Sequence, residues 1–590
     1  MGKNFFSAFL LFLLFTVFSE AELPKEKMLD NLDILKNTFE TCYAPSFWKR
    51  QYADWDLDEK IEEAKAYVVD AETLSIKEYQ RLLKQFFLST KDYHVGIYFY
   101  STEEAFLPFR IHGAQGKYFI AWVYHPVFSG LKDPLRVGDE VVLFDGVPVG
   151  DLVQTLRQSD FGNPEIETDQ ALAECALTTR LGEDGYEVPK GPVTLTVRHS
   201  GTKEVTTYRL NWYYHAELVS APFNPLSVAE QANFLSLVDG RYHVINKESG
   251  LLGQHPFFAK EMISPYYKVY QDAVARRSKR LKAEGEDNVE DLFIGSKKSF
   301  IPELGEVVWS AGQSNPFEAY IYLSPEGKQI GYVRIPHYGG GNYSANKFAD
   351  IISKFEIETD AVVIDQINNP GGNVFYMYAL ASMLSPTPLE VASHEMAITQ
   401  EDVFFAIQGE EDLREVRNDE EACDVIGTTL WGYPVDLSLA HQMLNYFKFI
   451  INEWEEGRVL TTPEYLFGVK HLALHPRVQL SKPMIILTNC LDFSCADFFP
   501  AIMQDNGRAT IVGTRTAGAG GYVLSHEYPN LFGIQNYTFT GSLAMRPDGD
   551  PIENLGVVPD IVIELTPADL EFDYKDYVEK IHQAVKEISS

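Results

Sequence analysis

The sequence predicts a multidomain α+β protein: a helical N-terminal region, a β-rich domain after it, and an α/β domain forming the C-terminal half. Three observations carry this. Leu32, Ile34, Leu35 and Phe39, and later Leu82, Leu83, Phe86 and Phe87, recur near the helical period. Residues 103–215 contain many short runs of β-type residues. From residue 316 onward, the strand candidates 320–323, 331–335, 361–364, 484–487 and 509–512 alternate with helical patterns at 345–355 and 495–505. Such alternation implies a largely parallel or mixed sheet with both faces covered.

The helical region is assigned to residues 22–102. Its end, Asp92-Tyr93-His94-Val95-Gly96-Ile97-Tyr98-Phe99-Tyr100, is rich in aromatic and β-branched residues and predicts a strand. Asp92 and His94 would then share one face of it. Within 103–215, Leu135-Arg136-Val137-Gly138-Asp139-Glu140-Val141-Val142-Leu143-Phe144-Asp145-Gly146 has the Gly-Asp turn, strand and Asp-Gly hairpin of a PDZ-like domain. Such a domain takes extended peptide by strand addition. Residues 216–300 form an insert. It carries Phe257-Phe258, Tyr266-Tyr267, the basic run Arg276-Arg277-Ser278-Lys279-Arg280 and a polar stretch, 283–290, suited to an exposed, cleavable loop. The α/β domain takes 301–590.

With 590 residues and 45% apolar content, the chain can bury several cores. Its 50 basic against 84 acidic residues give a net charge of −34, which disfavours nucleic acid and anionic membranes as partners. Lys3, the apolar run from Phe5 to Phe18 and Ser19-Glu20-Ala21 read as a signal peptide over residues 1–21, so the protein is expected to be secreted. No later run reaches the ~18 apolar residues of a membrane span. Five cysteines, Cys42, Cys175, Cys423, Cys490 and Cys495, form neither a disulfide framework nor a zinc motif. His471 and His475 would share a face if helical, but no carboxylate signature accompanies them and Pro476 ends the segment. No metal or cofactor is expected.

The chemistry-bearing signals lie in three loops. The apolar strand 484–487 runs through a short loop into Asp492-Phe493-Ser494-Cys495-Ala496-Asp497, which puts Ser494 at the start of a helix. There, free N–H groups and the helix dipole stabilise a developing oxyanion, and the Cys495 N–H is one donor candidate. The ordinary alternative is a simple N-cap completed by Asp497. The strand 361–364 leads into Asn368-Asn369-Pro370-Gly371-Gly372-Asn373, whose paired glycines permit close backbone approach and could expose a second donor. Thr516-Ala517-Gly518-Ala519-Gly520-Gly521 follows a third strand, and no Gly-Lys-Ser/Thr makes it a P-loop.

Together these loops resemble the catalytic domain of the tail-specific (S41, C-terminal processing) serine proteases. The resemblance implies a crotonase-like α/β fold. In that family the third loop usually carries a lysine as general base; here the position is Ala519. A histidine is the natural substitute. The Asp92-Tyr93-His94 segment, the Ser494 loop, the glycine loop and Glu553-Asn554-Leu555-Gly556-Val557 are similar to those of the chlamydial protease-like branch of the family. Carried over residue by residue, the resemblance implies Ser494 as nucleophile, His94 as base and Glu553 as acid, with Cys495, Gly371 and Gly372 serving the oxyanion. Asp92 is a second candidate for orienting His94. The resemblance also implies a zymogen blocked by a segment within about 233–290, activated by homodimerisation and self-cleavage, and acting on polypeptides, host proteins among them. The competing readings are a catalytically dead, PDZ-containing peptide-binding protein, a cysteine hydrolase using Cys495, and an acyl-processing enzyme of crotonase type.

Overall fold

The computed structural model describes residues 25–217, the backbone of 261–263, and residues 294–589. Residues 1–21, read as a signal peptide, and nearly all of the insert, including its aromatic clusters and basic run, lie outside the described residues.

The architecture is multidomain α+β. Helices Lys25–Cys42, Ser46–Ala53, Leu57–Asp70 and Ile76–Ser89 open the chain. Asp56 caps the third through the Asp58 and Glu59 N–H groups, and a Ser75/Glu78 capping box starts the fourth. Their apolar faces do not form a closed bundle. Phe39, Trp55, Tyr79, Phe86 and Phe87 share one core with Phe532, Tyr537 and Phe539 from near the C-terminus. The strand Gly96–Phe99 pairs antiparallel with Ile534–Thr540, Gly96 opposite Thr538. The front of the chain is thus built onto the back of the C-terminal domain.

The PDZ-like sheet runs Phe109–Ala114, Lys117–Val123, Glu140–Phe144, Pro192–Arg198, Val205–Asn211, with antiparallel pairing throughout. Asp145, at φ 50°, and Gly146 make the tight turn the Asp-Gly pair calls for. Asp139 anchors the preceding turn by accepting the Arg136 N–H at 3.0 Å and the Ser200 N–H at 3.1 Å. The core of this domain extends without a break to Leu491, Phe493, Ala517 and Ala519.

The C-terminal domain is a seven-stranded sheet: Glu306–Ser310, Ala319–Leu323, Gln329–Arg334, Ala361–Asp365, Met484–Thr488, Thr510–Gly513, Ile561–Val562. The first two pairings are antiparallel and the other four parallel. Val362, Ile364, Met484, Ile486 and Ile511 face one core, with helices Asn342–Glu358, Val374–Ser382 and Cys495–Asp505. Ala361, Val363, Ile485, Leu487 and Val512 face the other, with helix Lys575–Ile588. Burial on both faces explains the unbroken apolar runs of the central strands. The C-terminal ends of Ala361–Asp365, Met484–Thr488 and Thr510–Gly513 release the three loops along one edge of the sheet, where ligands of α/β proteins bind.

Candidate active site

Ser494 occupies a strained turn between the buried strand Met484–Thr488 and the helix Cys495–Asp505, at φ 61° and ψ −117°. This left-handed conformation is unfavourable for a residue with a Cβ, by about 1–3 kcal/mol. Only half of the expected capping arrangement forms. The Ser494 N–H donates to Asp497 Oδ2 at 2.8 Å, and the Asp497 N–H donates to the Ser494 carbonyl at 2.7 Å. The Ser494 hydroxyl has no hydrogen-bond partner, although the residue is fully buried. A buried, unsatisfied hydroxyl on strained backbone is poor structural design and suits a group held ready for a reactant.

Asp497 is the hub that ties this turn to the third loop. It also accepts the Gly518 N–H at 2.8 Å and the Ala519 N–H at 3.0 Å. Burial raises its carboxyl to about 6. Ala519, where the family usually has lysine, is wholly buried. The glycines of this loop allow the Glu553 segment to come close. A Cβ on Gly520 would lie 2.5 Å from the Glu553 nitrogen.

The Asn369-Pro370-Gly371-Gly372 loop is fixed to the Ser494 loop by Asp492. That carboxylate accepts the Asn369 and Asn489 N–H groups, both at 3.0 Å, and the Phe493 N–H donates to the Asn369 carbonyl at 2.9 Å. Gly372, at φ 153°, passes Tyr338 so closely that a Cβ would lie 2.1 Å from its carbonyl carbon. The Gly371 N–H already donates to Asn369 Oδ1 at 2.9 Å. The Cys495 thiol donates to the Gly372 carbonyl at 3.4 Å, and burial pushes its pKa well up. It is a neutral packing group, not a poised thiolate. The strand Gly371–Asn373 carries a partner. Residues Glu261–Ile263 pair with it antiparallel, Met262 opposite Gly372.

His94 lies in a turn, not in the expected strand, which begins only at Gly96. The reason is Asp92. Its Oδ1 accepts the His94 backbone N–H at 2.9 Å, which closes the turn. Asp92 therefore grips the His94 backbone and does not share a strand face with its ring. It also accepts the Tyr43 hydroxyl at 3.0 Å and the Thr540 hydroxyl at 2.8 Å. The Thr538 hydroxyl donates to the His94 carbonyl at 2.7 Å. The ring is fully buried, and neither nitrogen has a hydrogen-bond partner. Burial, aided by Lys49, lowers its pKa to about 4 against the pull of Asp92.

The His94 and Ser494 segments meet through their neighbours. The Tyr93 ring stands edge-on to Phe493, with centroids 5.6 Å apart. Glu553 is buried and accepts the Gly520 N–H at 2.9 Å through Oε2. Its Oε1 pairs with Lys49, a residue that sequence reasoning did not single out. Lys49 comes from the helix Ser46–Ala53, is wholly buried, and also donates to Asn554 Oδ1 at 2.7 Å and the Lys91 carbonyl at 3.1 Å. Asp92 Oδ2 is 3.7 Å from its ammonium. Burial and the Asp92 charge raise the Glu553 carboxyl to about 8 despite Lys49. Ser494, His94 and Glu553 are thus all buried, with no hydrogen bond among them. His471 falls in a short strand, Leu472 beside it, so the helical pairing with His475 does not arise.

This geometry has parallels in known proteins. A model described as Peptidase family S41 matches residues 329–563, and one described as PDZ domain matches residues 103–220. An uncharacterised protein of Chlamydia muridarum (strain MoPn / Nigg) is 35% identical over 581 residues, which covers 95% of this chain and 93% of that one. A protein of Chlamydia pneumoniae is 33% identical over 612 residues, covering 99% and 94%. The crystal structure of mature CPAF is similar with a TM-score of 0.78 at 32% identity, covering 96% of this chain and 98% of that one.

Proposed function

The chain belongs to peptidase family S41, among the serine-type peptidases that resemble chlamydial protease-like activity factor, and on that premise we propose that it is a latent endopeptidase working through Ser494, His94 and Glu553. In this reading neutral His94 takes the proton of the Ser494 hydroxyl as Oγ attacks a peptide carbonyl. The Cys495 and Gly372 N–H groups hold the oxyanion, each donor contributing about 10²–10³ in rate. Gly371 has a smaller part, since its N–H is already engaged. The imidazolium then protonates the leaving amine, and water releases the acyl group from Ser494. Glu553 or Asp92 stabilises the imidazolium.

One observation carries the reading: the backbone of 261–263 runs antiparallel to Gly371–Asn373, on the loop beside Ser494. A site that accepts an extended stretch of its own chain there has the shape for a polypeptide substrate. The same pairing supports latency, because the segment would have to leave before a substrate could enter. The unpartnered Ser494 and His94 side chains agree with a triad not yet closed.

Secretion through the segment 1–21, homodimerisation on activation and action on host proteins belong to the same proposal. The apolar N-terminal run supports the first, and the family resemblance supports all three. No helix among the described residues is long and apolar enough to cross a membrane.

The test is self-processing of the purified full-length chain over time, beside Ser494→Ala and His94→Ala, with fragments mapped and peptide turnover followed. Wild type should cut itself within about 233–290 and gain activity, and both variants should do neither. Full turnover by Ser494→Ala would overturn the assignment. An uncut, fully active wild type would overturn latency.

A further inference from the structure

One edge of the PDZ-like sheet is the strand Phe109–Ala114, and such modules add an extended peptide at an exposed sheet edge. That edge is already covered. Helix Glu167–Ala176 packs along it, and Glu174 Oε2 accepts the Gly113 N–H at 2.9 Å. Glu174 comes so near that a Cβ on Gly113 would lie 2.4 Å from its Oε1.

The opposite end of this helix reaches the catalytic segments. The Thr168 hydroxyl donates to the carbonyl of Cys490, in the loop that leads to Ser494, at 2.9 Å. The Tyr93 hydroxyl donates to Asp169 Oδ1 at 2.7 Å. Asp169 Oδ2 accepts the Asn163 N–H at 2.5 Å, and the Asn163 side chain donates to the Lys91 carbonyl at 3.1 Å. Asp169 and Thr168 are both fully buried. One helix of the PDZ-like domain therefore holds the residue before His94 and the loop before Ser494 at once.

We propose that Asp169 is a positioning residue for His94, acting through the Tyr93 hydroxyl, and that helix Glu167–Ala176 makes the PDZ-like domain part of the catalytic scaffold. The inference rests on reading His94 as the base. The Tyr93 ring sits between two anchors, Phe493 in a T-shaped ring contact and Asp169 at its hydroxyl. With both engaged, the Tyr93-His94 peptide has one orientation toward the nucleophile loop. With the hydroxyl freed, the His94 backbone keeps its bonds to Asp92 and Thr538, but the Tyr93 side of the turn is held by the ring contact alone and can shift. A displacement of 1 Å in a catalytic group lowers rate by up to about 10².

The test starts from the full-length protein, incubated under the conditions in which wild type processes itself, and compares wild type with Tyr93→Phe, Asp169→Ala, the double variant and His94→Ala, with turnover expressed per processed chain. Tyr93→Phe keeps the ring on Phe493 and removes only the hydroxyl. The expected result is a loss of about tenfold in kcat for each single variant, with KM within about twofold, and no further loss in the double variant, since both changes break the same link. Wild-type kcat in Tyr93→Phe, or losses that multiply in the double variant, would overturn the proposal while His94→Ala is inactive. Turnover by His94→Ala would instead overturn the base assignment beneath it.

Discussion

Lys49 and Glu553, 504 positions apart in the chain, form an ion pair in which neither side chain is exposed. Lys49 is the ammonium within reach of two buried carboxylates, Glu553 and Asp92. Lys49→Met leaves those carboxylates facing each other. Removing one partner of a buried pair destabilises by about 3–5 kcal/mol. The Glu553 carboxyl already sits above its ordinary 4.5, at about 8. A carboxyl raised on folding favours the native state fully below its unfolded pKa and loses that contribution as pH rises through the folded value. The deficit of Lys49→Met is therefore expected to be largest above about pH 8 and to shrink in mild acid. Denaturant unfolding at both ends of that range measures it, and a deficit independent of pH contradicts the account.

Ser494→Gly should separate stability from turnover. Glycine adopts φ 61° without steric penalty, and the lost hydroxyl makes no hydrogen bond. Relief of the strain is expected to stabilise by about 1 kcal/mol, seen as a rise in Tm. Peptide turnover should fall by about 10⁴ or more. A lower Tm would mean the hydroxyl has a structural partner.

With His94 as the proposed base, the acid limb of kcat/KM reports its protonation. A general base must be neutral, and burial of this ring lowers its pKa from 6.5 to about 4. Activity is expected to persist below the ordinary histidine range and to fall as pH drops toward about 4. A profile whose acid limb lies at or above neutrality would contradict a buried neutral imidazole.

Asp497→Asn puts an amide against a cluster of backbone N–H groups, those of Ser494, Gly518 and Ala519. At most one oxygen remains to accept them, so at least one buried donor is orphaned, at about 1–3 kcal/mol. A fall in Tm and a fall in kcat of about tenfold or more are expected together. Unchanged Tm would show that the two loops are held by something else.

The nucleophile turn, the paired-glycine loop and the third glycine loop were legible in the sequence because each is a local demand on the backbone. A buried strand stops, and glycines appear where a Cβ would strike Tyr338 or the Glu553 nitrogen. The α/β sheet was legible for the same kind of reason, from short apolar runs in its central strands. Lys49 was not. Trp48, Lys49 and Arg50 look like a surface stretch, and the carboxylates that bury Lys49 arrive from Asp92 and Glu553, far away in sequence. The strand expected through His94 failed at Asp92, where a side-chain acceptor for the His94 N–H outcompeted β-propensity. Asp169 gave no signal either, since its meaning comes from a tyrosine in another domain.

The chain visits His94 before the insert segment at about 233–290 and Ser494 after it, yet Gly96–Phe99 is hydrogen-bonded into a sheet with Ile534–Thr540. A single nick in that interval would leave His94 and Ser494 on two separate polypeptides. The enzyme would then survive as a noncovalent pair of halves, held by that short ladder, by the shared aromatic core and by Lys49 with Glu553. Its working lifetime after cutting would depend on how slowly those halves part, not on whether either one folds alone.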